Sequence, residues 1–381
     1  MVLIFLVILL VLLLCDSYIV FGVLSSNSWW IKSMLLVPSV AYVAVIAFTL
    51  MVKDTKQGML NFLFWLTLCV VIPTLLFTLL SLIGKGVGLV FPSVVRIVNV
   101  FALSLSVVWI GISLYGILFG WKKVSVDRIT VSSDRIPKSF NDYKIVQLSD
   151  FHIGTYASAP GCVERIVDKV NSLKPDLIVF TGDLVNTSSS EIDEFTEVLS
   201  RLRAKDGVYS VLGNHDYCLY RRYSGEDTPV KQLAKVVGHE KEIGWRLLRN
   251  ESVQIVCGND SIALVGVDNA GSRGFIDRSD LKKATQGLPE DEFKILLSHD
   301  PSHWRREVLP TSDIDLMLAG HTHAMQFKLF GWSPSAWTYP EWGGLYTEGN
   351  RNLYVSTGIG ENIAFRFGAW PQIVLISLYH S

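Results

Sequence analysis

Cysteine is scarce in this sequence. Only five cysteines occur among 381 residues, at positions 15, 69, 162, 218 and 257. Two of them lie in apolar segments and three stand singly, so no spacing indicates a disulfide framework or a thiolate metal site. We therefore expect five unpaired thiols and a reducing compartment.

An excess of positive charge is also missing. The chain has 34 Lys and Arg residues against 35 Asp and Glu residues, which gives a formal net charge of −1. Binding to nucleic acid depends on a concentrated basic surface that neutralises phosphates. This balance argues against a nuclease, and no nucleic-acid partner is expected.

Charge of either sign is nearly absent from the first 120 residues, which hold only seven charged side chains. Four apolar stretches occupy this part, at roughly 2–23, 34–52, 59–83 and 98–120. Each has about the 20 residues with which a helix crosses the hydrocarbon core of a bilayer. The first stretch lacks the basic start of a signal peptide, so we interpret it as a retained helix. The sequence thus predicts a membrane domain at 1–121 with four transmembrane helices.

Lysine and arginine around these stretches predict their orientation. One side of the membrane would carry Lys53, Lys56, Lys122, Lys123 and Arg128. The other side would carry Lys32, Lys85 and Arg96. Because cytoplasmic flanks carry the excess of positive charge, the part after residue 122 is expected in the cytoplasm of an integral membrane protein.

After Lys123, short apolar runs alternate with amphipathic ones. Eight runs have the character of strands: Lys144–Leu148, Leu177–Phe180, Val208–Leu212, Ile262–Val267, Ile295–Leu297, Leu316–Leu318, Leu353–Ser356 and Ile373–Leu378. Helical spacing predicts one helix with Val163, Ile166, Val167, Val170 and Leu173 on one face, and a second over Glu191–Lys205 that Ser188–Ser190 can cap. This alternation indicates an α/β domain at 143–381, after a linker and entry hairpin at 122–142.

Five polar blocks each follow an apolar run. They are Asp150-Phe-His152, Gly182-Asp183, Gly213-Asn214-His215-Asp216, Ser298-His299-Asp300 and Gly320-His321-Thr-His323. Functional loops of α/β sheets gather at the carboxyl ends of strands, so these blocks are expected to converge. Five of the eight histidines fall inside them. Imidazole nitrogen and carboxylate oxygen are ligands that suit Zn, Fe, Mn or Co.

The order D-x-H, G-D, G-N-H-D, H and G-H-x-H resembles the signature of the calcineurin-like metallophosphoesterases, over about Lys144 to Leu378. The resemblance implies an α/β fold of two packed β-sheets flanked by helices, a four-layer sandwich that is here preceded by the four transmembrane α-helices. It implies two divalent metal ions. The first would be held by Asp150, His152 and His323, the second by Asn214, His299 and His321, and Asp183 would bridge both.

The same resemblance implies a phosphoric ester hydrolase. A hydroxide that bridges the metals would attack phosphorus in line with the leaving group. His215 would protonate or hydrogen-bond the leaving oxygen, and Asp216 would orient the His215 ring. The glycines of these blocks would let the backbone turn tightly beside the metals.

The segment after the last histidine departs from the family pattern. Close relatives often have two glycines there, whereas this chain has Ala324-Met325, which disfavours a backbone with positive φ. Seven aromatic residues follow within Phe327–Tyr346. This segment is either a loop that covers the core or an apolar lip that docks on the bilayer or grips an acyl chain. His303 follows His299 by four positions, but His299 ends a strand, so a helical metal pair is disfavoured and His303 is expected at the surface.

The sequence therefore predicts a membrane-anchored phosphohydrolase that cleaves a phosphoester or diphosphate bond. Its expected partners are the lipid bilayer and a phosphate-containing substrate that is lipid-linked or close to the membrane. Two alternatives stay open, a phosphodiesterase acting on soluble substrates and a non-catalytic metal-binding scaffold. The scaffold is disfavoured because every ligand position and His215 are present.

Overall fold

The chain forms two compact units. The structure, a computed structural model, describes residues 2–51, 57–223 and 225–381. One unit comprises Met1–Phe119 with Ile363–Phe365, and the other comprises Gly120–Asn362 with Arg366–Ser381. Lys53 and Lys56, which contribute to the predicted orientation, lie outside the described residues.

Apolar helices build the first unit. Helix α1 (Val2–Ser17) continues into a π-helical turn at Tyr18–Val23, and α2 spans Trp29–Met51. Helices α3 (Gln57–Leu66) and α4 (Ile72–Gly88) are joined by a π-helical turn at Thr67–Val71, and α5 spans Pro92–Leu118. Four windows are long and apolar enough to cross a membrane: Leu6–Val23, Trp29–Thr49, Asn61–Gly88 and Pro92–Lys122. The four predicted membrane helices are thereby confirmed as candidate spans.

The link predicted between the last two spans, residues 84–96, is too long. Helix α4 continues through Gly88, and α5 already begins at Pro92. Proline suits the first turn of a helix because its missing N–H would have no partner there. A Cβ atom on Gly84 would lie 2.8 Å from the Cβ of Val98, so this glycine permits close packing of α4 against α5. Gly84 thus allows the two helices to pack closely, and α4 does not end at it.

Two six-stranded mixed sheets form the centre of the second unit. The strands are β1 (Ser125–Ser133), β2 (Tyr143–Leu148), β3 (Leu177–Phe180), β4 (Val208–Ser210), β5 (Arg246–Leu247), β6 (Glu251–Cys257), β7 (Asp260–Gly266), β8 (Lys294–Leu297), β9 (Leu316–Ala319), β10 (Gly344–Glu348), β11 (Arg351–Val355) and β12 (Gln372–His380). The first sheet has the order β1-β12-β2-β3-β4-β5, and the second has β10-β11-β9-β8-β7-β6. All eight predicted strands are confirmed.

Strand β1 lies inside the segment 122–142, for which the sequence predicts a linker and an entry hairpin. It pairs in parallel with β12 from Ser125 opposite Gln372 to Ser133 opposite His380, and it forms one edge of the first sheet. Among its side chains only Val131 is fully buried. An edge strand with so little buried apolar surface leaves a weak hydrophobic pattern in the sequence.

The main core lies between the two sheets. In β8, Ile295 and Leu297 join a buried cluster that contains side chains of both sheets. Leu296 points to the other face and joins a second cluster with Trp304 and Val308. This alternation follows from the two-residue period of a strand, and burial on both faces explains why β8 is apolar from Ile295 to Leu297.

Helices flank the sheets at α6 (Gly161–Ser172), α7 (Thr196–Leu199), α8 (Pro229–Glu242), α9 (Leu281–Ala284) and α10 (Leu309–Thr311). Helix α6 confirms the first predicted soluble helix. The long helix predicted over Glu191–Lys205 is wrong, since only two 3-10 turns and the four-residue α7 occur there. The Glu191 carboxylate accepts the backbone N–H groups of Asn186, Thr187 and Ser188 at 2.6, 2.9 and 3.0 Å. Glu191 therefore shapes the loop after Asp183.

Candidate metal centre

The five polar blocks converge because each follows a strand at its carboxyl end. In the first sheet, β2 precedes Asp150 and His152, β3 precedes Asp183, and β4 precedes Asn214. In the second sheet, β8 precedes His299, and the neighbouring β9 precedes His321 and His323. Strands β2, β3 and β4 are parallel neighbours, as are β8 and β9, so loops at their carboxyl ends lie together.

One cluster contains Asp150, His152, Asp183 and His323, whose ligand atoms all lie within 4.8 Å of one another. The Nε2 atoms of His152 and His323 are 3.1 Å apart. His323 Nε2 lies 3.3 Å from Asp150 Oδ1, and His152 Nε2 lies 3.6 Å from Asp183 Oδ2. Two imidazole nitrogens and two carboxylate oxygens that converge in this way suit a divalent metal ion.

A second cluster shares Asp183 with the first and adds His299 and His321. His299 Nε2 lies 3.1 Å from Asp183 Oδ2 and 3.2 Å from His321 Nδ1. The same oxygen of Asp183 thus faces nitrogens of both clusters, while its Oδ1 accepts the backbone N–H of His215 at 2.8 Å. A carboxylate held in this way has the geometry that a bridging ligand requires.

Asn214 lies at the same site with its amide oxygen unpaired. Oδ1 of Asn214 is buried and has no hydrogen-bond partner among the residues that the structure describes, whereas Nδ2 donates to the Tyr220 hydroxyl at 2.8 Å. Buried polar atoms nearly always have a partner, so this orphan oxygen fits a cation. Because the Tyr220 hydroxyl accepts the hydrogen bond from Nδ2, the Asn214 amide is oriented with its oxygen available to a cation.

The outer nitrogens of two histidines are held by the protein. His299 Nδ1 lies 2.8 Å from the Thr181 carbonyl, so this nitrogen donates to the carbonyl and Nε2 is the nitrogen that faces the cluster. His321 Nε2 lies 2.9 Å from the Tyr339 hydroxyl, which leaves Nδ1 for the cluster. Such outer contacts fix the tautomer and ring orientation of a metal-binding histidine.

Burial and neighbouring charge shift the pKa values at the site. Burial lowers the pKa of His152 to about 3 and that of His321 to about 4, so both rings are neutral and able to bind a cation. Burial also acts to lower the pKa of His299, but the Asp183 carboxylate beside it raises this pKa to about 10. The carboxylates therefore stabilise positive charge at the centre of the site, as a metal ion requires.

Backbone strain is concentrated at these residues. Positive φ angles between 43° and 74° occur at Asp150, His152, Asp183, His321 and His323. Residues in such conformations cost roughly 1–3 kcal/mol each and persist at functional sites where the surrounding structure fixes them. Gly182 has a φ of +95°, and a Cβ atom there would lie 2.5 Å from the Gly213 nitrogen. The tight turn expected before Asp183 is thus present.

The loop after His323 has the left-handed backbone that its sequence disfavours. Ala324 and Met325 have φ angles of 50° and 45° although neither is glycine. The Ser333 hydroxyl donates to the Ala324 carbonyl at 2.5 Å, and the Ser335 hydroxyl donates to the Thr322 carbonyl at 3.3 Å. These bonds from the following segment hold the loop, which adopts positive φ angles without glycine.

Asp216 does not have the ring-orienting contact expected from the sequence. Its carboxylate accepts four backbone N–H groups at 2.8–3.3 Å, those of Gly213, Asp183, Leu184 and Val185. The His215 ring is held instead by the Asn186 carbonyl, which lies 2.6 Å from Nδ1. Asp216 therefore fixes the two loops around Asp183, and the expected orientation of His215 by Asp216 is corrected.

Several residues around the site were not found from the sequence. They are Tyr220, Tyr339, Asn362 and Arg366, and their contacts with Asn214, His321, His215 and His323 in the structure reveal them. Arg366 is fully buried, pairs with Glu361 at 2.5 Å and lies 3.4 Å from His323 Nδ1.

His303 is also corrected. It is buried, not at the surface, and its Nδ1 and Nε2 lie 2.9 Å from Ser298 Oγ and 3.0 Å from Glu307 Oε2. These partners come from both sides of its own chain segment, and the ring serves packing of that segment.

Tyr220→Phe is expected to weaken binding of the second metal ion by about 10-fold, in the range typical for loss of an outer contact. The phenyl ring can keep its contact with the His215 ring, whose centroid is 4.5 Å away, but Asn214 Nδ2 loses its acceptor. Metal titration by calorimetry measures the effect. Tyr223→Phe, which removes a hydroxyl bonded to the carbonyls of Thr187 and Cys218, is the matched control. Equal affinities in both variants would contradict the positioning role of Tyr220.

The two clusters at the end of two packed mixed sheets define a metal-binding protein of the metallophosphoesterase class. The model of the family described as "Calcineurin-like phosphoesterase" matches residues 143–325. The chain is 30% identical over 261 residues to the uncharacterized metallophosphoesterase YkuE of Bacillus subtilis, with 65% of this chain and 83% of that protein covered. The chain belongs to the calcineurin-like phosphoesterase family.

A relative with a membrane part is similar as well. The chain is 32% identical over 279 residues to a bovine protein named "Transmembrane protein with metallophosphoesterase domain", with 70% of this chain and 60% of that protein covered. An uncharacterized metallophosphoesterase of Campylobacter jejuni, Cj0846, is 28% identical over 86% of this chain and 82% of its own length. The chain therefore spans less than two thirds of the length of the bovine protein.

Proposed function

We propose that the protein is a metal-dependent phosphohydrolase that binds two divalent ions, drawn from Mn, Fe, Zn and Co. The observation that carries this proposal is the shared carboxylate, because Asp183 Oδ2 faces His152 at 3.6 Å and His299 at 3.1 Å. The ligands of the first ion are Asp150, His152, Asp183 and His323, and those of the second are Asp183, Asn214, His299 and His321. When bound, the ions supply positive charge for a phosphate group and an activated water.

His215 is the proposed proton donor to the leaving oxygen. Its Nδ1 faces the Asn186 carbonyl at 2.6 Å, so Nδ1 keeps a proton and Nε2 is the nitrogen that exchanges one. Nε2 lies 3.4 Å from Asn362 Nδ2, and the ring meets His152 edge-on with the centroids 4.7 Å apart. The ring thus borders the first cluster without belonging to it. Asp216 supports the reaction by holding the backbone N–H groups of Asp183 and Leu184.

The substrate is proposed to be lipid-linked or held at a membrane surface. Four apolar helices in the same chain would keep the hydrolase domain beside a bilayer, which raises the encounter rate with any phosphate ester in that bilayer. Lys122, Lys123 and Arg128 follow α5 and support a cytoplasmic hydrolase domain. The bond cleaved is a phosphoester or a diphosphate.

A panel of phosphate compounds tests the proposal. Full-length protein in phospholipid vesicles with Mn²⁺ is given a monoester, a diester, a nucleotide diphosphate-lipid and phospholipids, with water-soluble analogues of each. We expect metal-dependent release of product, at least about 10-fold faster from a vesicle-borne substrate than from its soluble analogue. Faster turnover of the soluble analogue would favour the soluble phosphodiesterase. Absence of hydrolysis by metal-replete protein across the whole panel would favour the scaffold.

A further inference from the structure

The phenyl ring of Phe330 lies at a two-residue hairpin turn and is exposed to solvent. The backbone N–H groups of Leu329 and Trp332 each donate to the other's carbonyl, at 2.9 and 3.0 Å. Between them, Phe330 and Gly331 have φ angles of 50° and 82°, so the turn uses left-handed backbone at both positions. Glycine is suited to this conformation, but phenylalanine is strained in it. Phe330 is 98% exposed and so makes almost no contact within the protein that would offset the strain.

Other large apolar side chains lie beside this turn in the sequence and are exposed as well. Trp337 is 80% exposed, and its ring meets that of Trp332 edge-on with the centroids 5.1 Å apart. We use the name aromatic lip for Met325, Leu329, Phe330, Trp332 and Trp337, all of which are exposed. Contiguous apolar side chains in water are unfavourable and indicate a contact surface.

The aromatic lip is attached to the loop that carries two proposed metal ligands. Met325 follows His323 by two positions, and Ser335 Oγ donates to the Thr322 carbonyl at 3.3 Å. Thr322 Oγ1 in turn donates to the Trp342 carbonyl at 2.6 Å. The Tyr339 hydroxyl lies 2.9 Å from His321 Nε2. The segment 329–342 and the ligand loop are therefore one hydrogen-bonded structure.

We propose that the aromatic lip inserts into the interfacial region of a phospholipid bilayer. Tryptophan rings favour that region because they are apolar with one polar N–H, and phenylalanine at a turn tip buries apolar surface there without unpairing backbone groups. The exposed Lys328 precedes the turn and suits lipid phosphates. The bilayer is the favoured occupant because the chain itself carries four helices able to cross one, which keeps lipid close at all times.

Each of the two interpretations left open by the sequence thus applies to a part of the segment Phe327–Tyr346. Tyr339 is buried against the site and Trp342 is partly buried, as expected for a loop that covers the core. The aromatic lip is the part assigned to the membrane. Because the aromatic lip is joined to the ligand loop, its insertion would hold the metal site close to the lipid surface. A substrate carried by the lipid would then be favoured, a step that rests on the proposed function.

Photo-crosslinking tests the insertion without any assay of activity. The full chain carries p-benzoyl-phenylalanine in place of Phe330 and is reconstituted in vesicles of phosphatidylcholine and phosphatidylglycerol. Val256 is the control position, since it is 58% exposed on β6, at the opposite edge of the second sheet from β10. We expect at least about five-fold more lipid adduct from position 330 than from position 256. Equal lipid yields, or crosslinks from position 330 to a second protein chain instead of lipid, would overturn the proposal.

A pair of charge substitutions tests the consequence for substrate use. Phe330→Asp combined with Trp337→Asp is expected to slow turnover of a vesicle-borne phosphodiester by about 10-fold and to leave turnover of a water-soluble phosphoester unchanged. Val256→Asp is the matched control and should change neither rate. Equal slowing of both substrates would show that the lip serves only the fold of the site. If the protein cleaves no phosphoester at all, the proposed function fails, while the crosslinking result still decides the membrane contact.

Discussion

Asp183→Asn is expected to abolish phosphoester hydrolysis and to leave fewer than one metal ion per chain. Asp183 Oδ2 faces nitrogens of both clusters, at 3.6 Å from His152 Nε2 and 3.1 Å from His299 Nε2. Asparagine removes the charge shared by both ions, and in one orientation it turns an N–H₂ group toward them. Its carbonyl can still accept the N–H of His215, the bond that Asp183 Oδ1 now makes at 2.8 Å, so the local fold is expected to remain. The loss of rate should reach about 10³-fold or more, because metal ions supply several kcal/mol of transition-state stabilisation.

Metal content and rate are measured on the same sample, by elemental analysis and by hydrolysis of the best substrate of the panel. Asp168→Asn is the matched control, since Asp168 lies exposed on α6 and the change in net charge is the same. Circular dichroism checks that both variants are folded. Two bound ions with full activity in Asp183→Asn would contradict the bridging role.

The sequence predicted the central strands and the converging ligands because both leave local signals. A strand buried on both faces leaves a continuous apolar run, such as Ile295–Leu297 of β8. Its chemistry-bearing residue follows closely where the strand ends, as His299 follows Leu297 by two positions. Neither signal depends on knowing which strands are neighbours. The parallel pairing of β2, β3 and β4 then places Asp150, Asp183 and Asn214 together.

What the sequence did not predict depends on contacts between distant residues. Strand β1 has one fully buried side chain, and its place in the sheet comes from pairing with β12 at the other end of the chain. The sequence around Glu191 has the pattern of a helix start, yet the Glu191 carboxylate accepts hydrogen bonds from N–H groups of the preceding loop. Asp216 stands next to His215, but three of its bonds are to backbone amides of residues 183–185 that only the fold brings near. Adjacent positions in the sequence therefore do not establish contact between their side chains.

The contribution of His215 is separable from metal binding, because its ring lies outside both ligand clusters. Its Nδ1 is held by the Asn186 carbonyl at 2.6 Å, and this carbonyl stabilises the Nδ1–H of the charged ring as well as of the neutral one. A ring held in this way can deliver a proton from Nε2 to a leaving alkoxide. The backbone N–H of His215 also binds Asp183, and substitution of the side chain leaves that bond in place.

His215→Ala is therefore expected to lower kcat by about 10²–10⁴-fold, the usual contribution of a positioned acid, while both metal ions stay bound. The dependence on leaving group identifies the role. An alkyl ester needs a proton on its departing oxygen, whereas a nitrophenyl ester does not, so the loss should be large for the first and small for the second. His239→Ala is the control, because His239 lies near Asp193 and Glu242 on the surface of the domain and should affect neither substrate. Equal losses for the two esters would assign His215 to binding of the phosphate, and loss of metal would place it among the ligands.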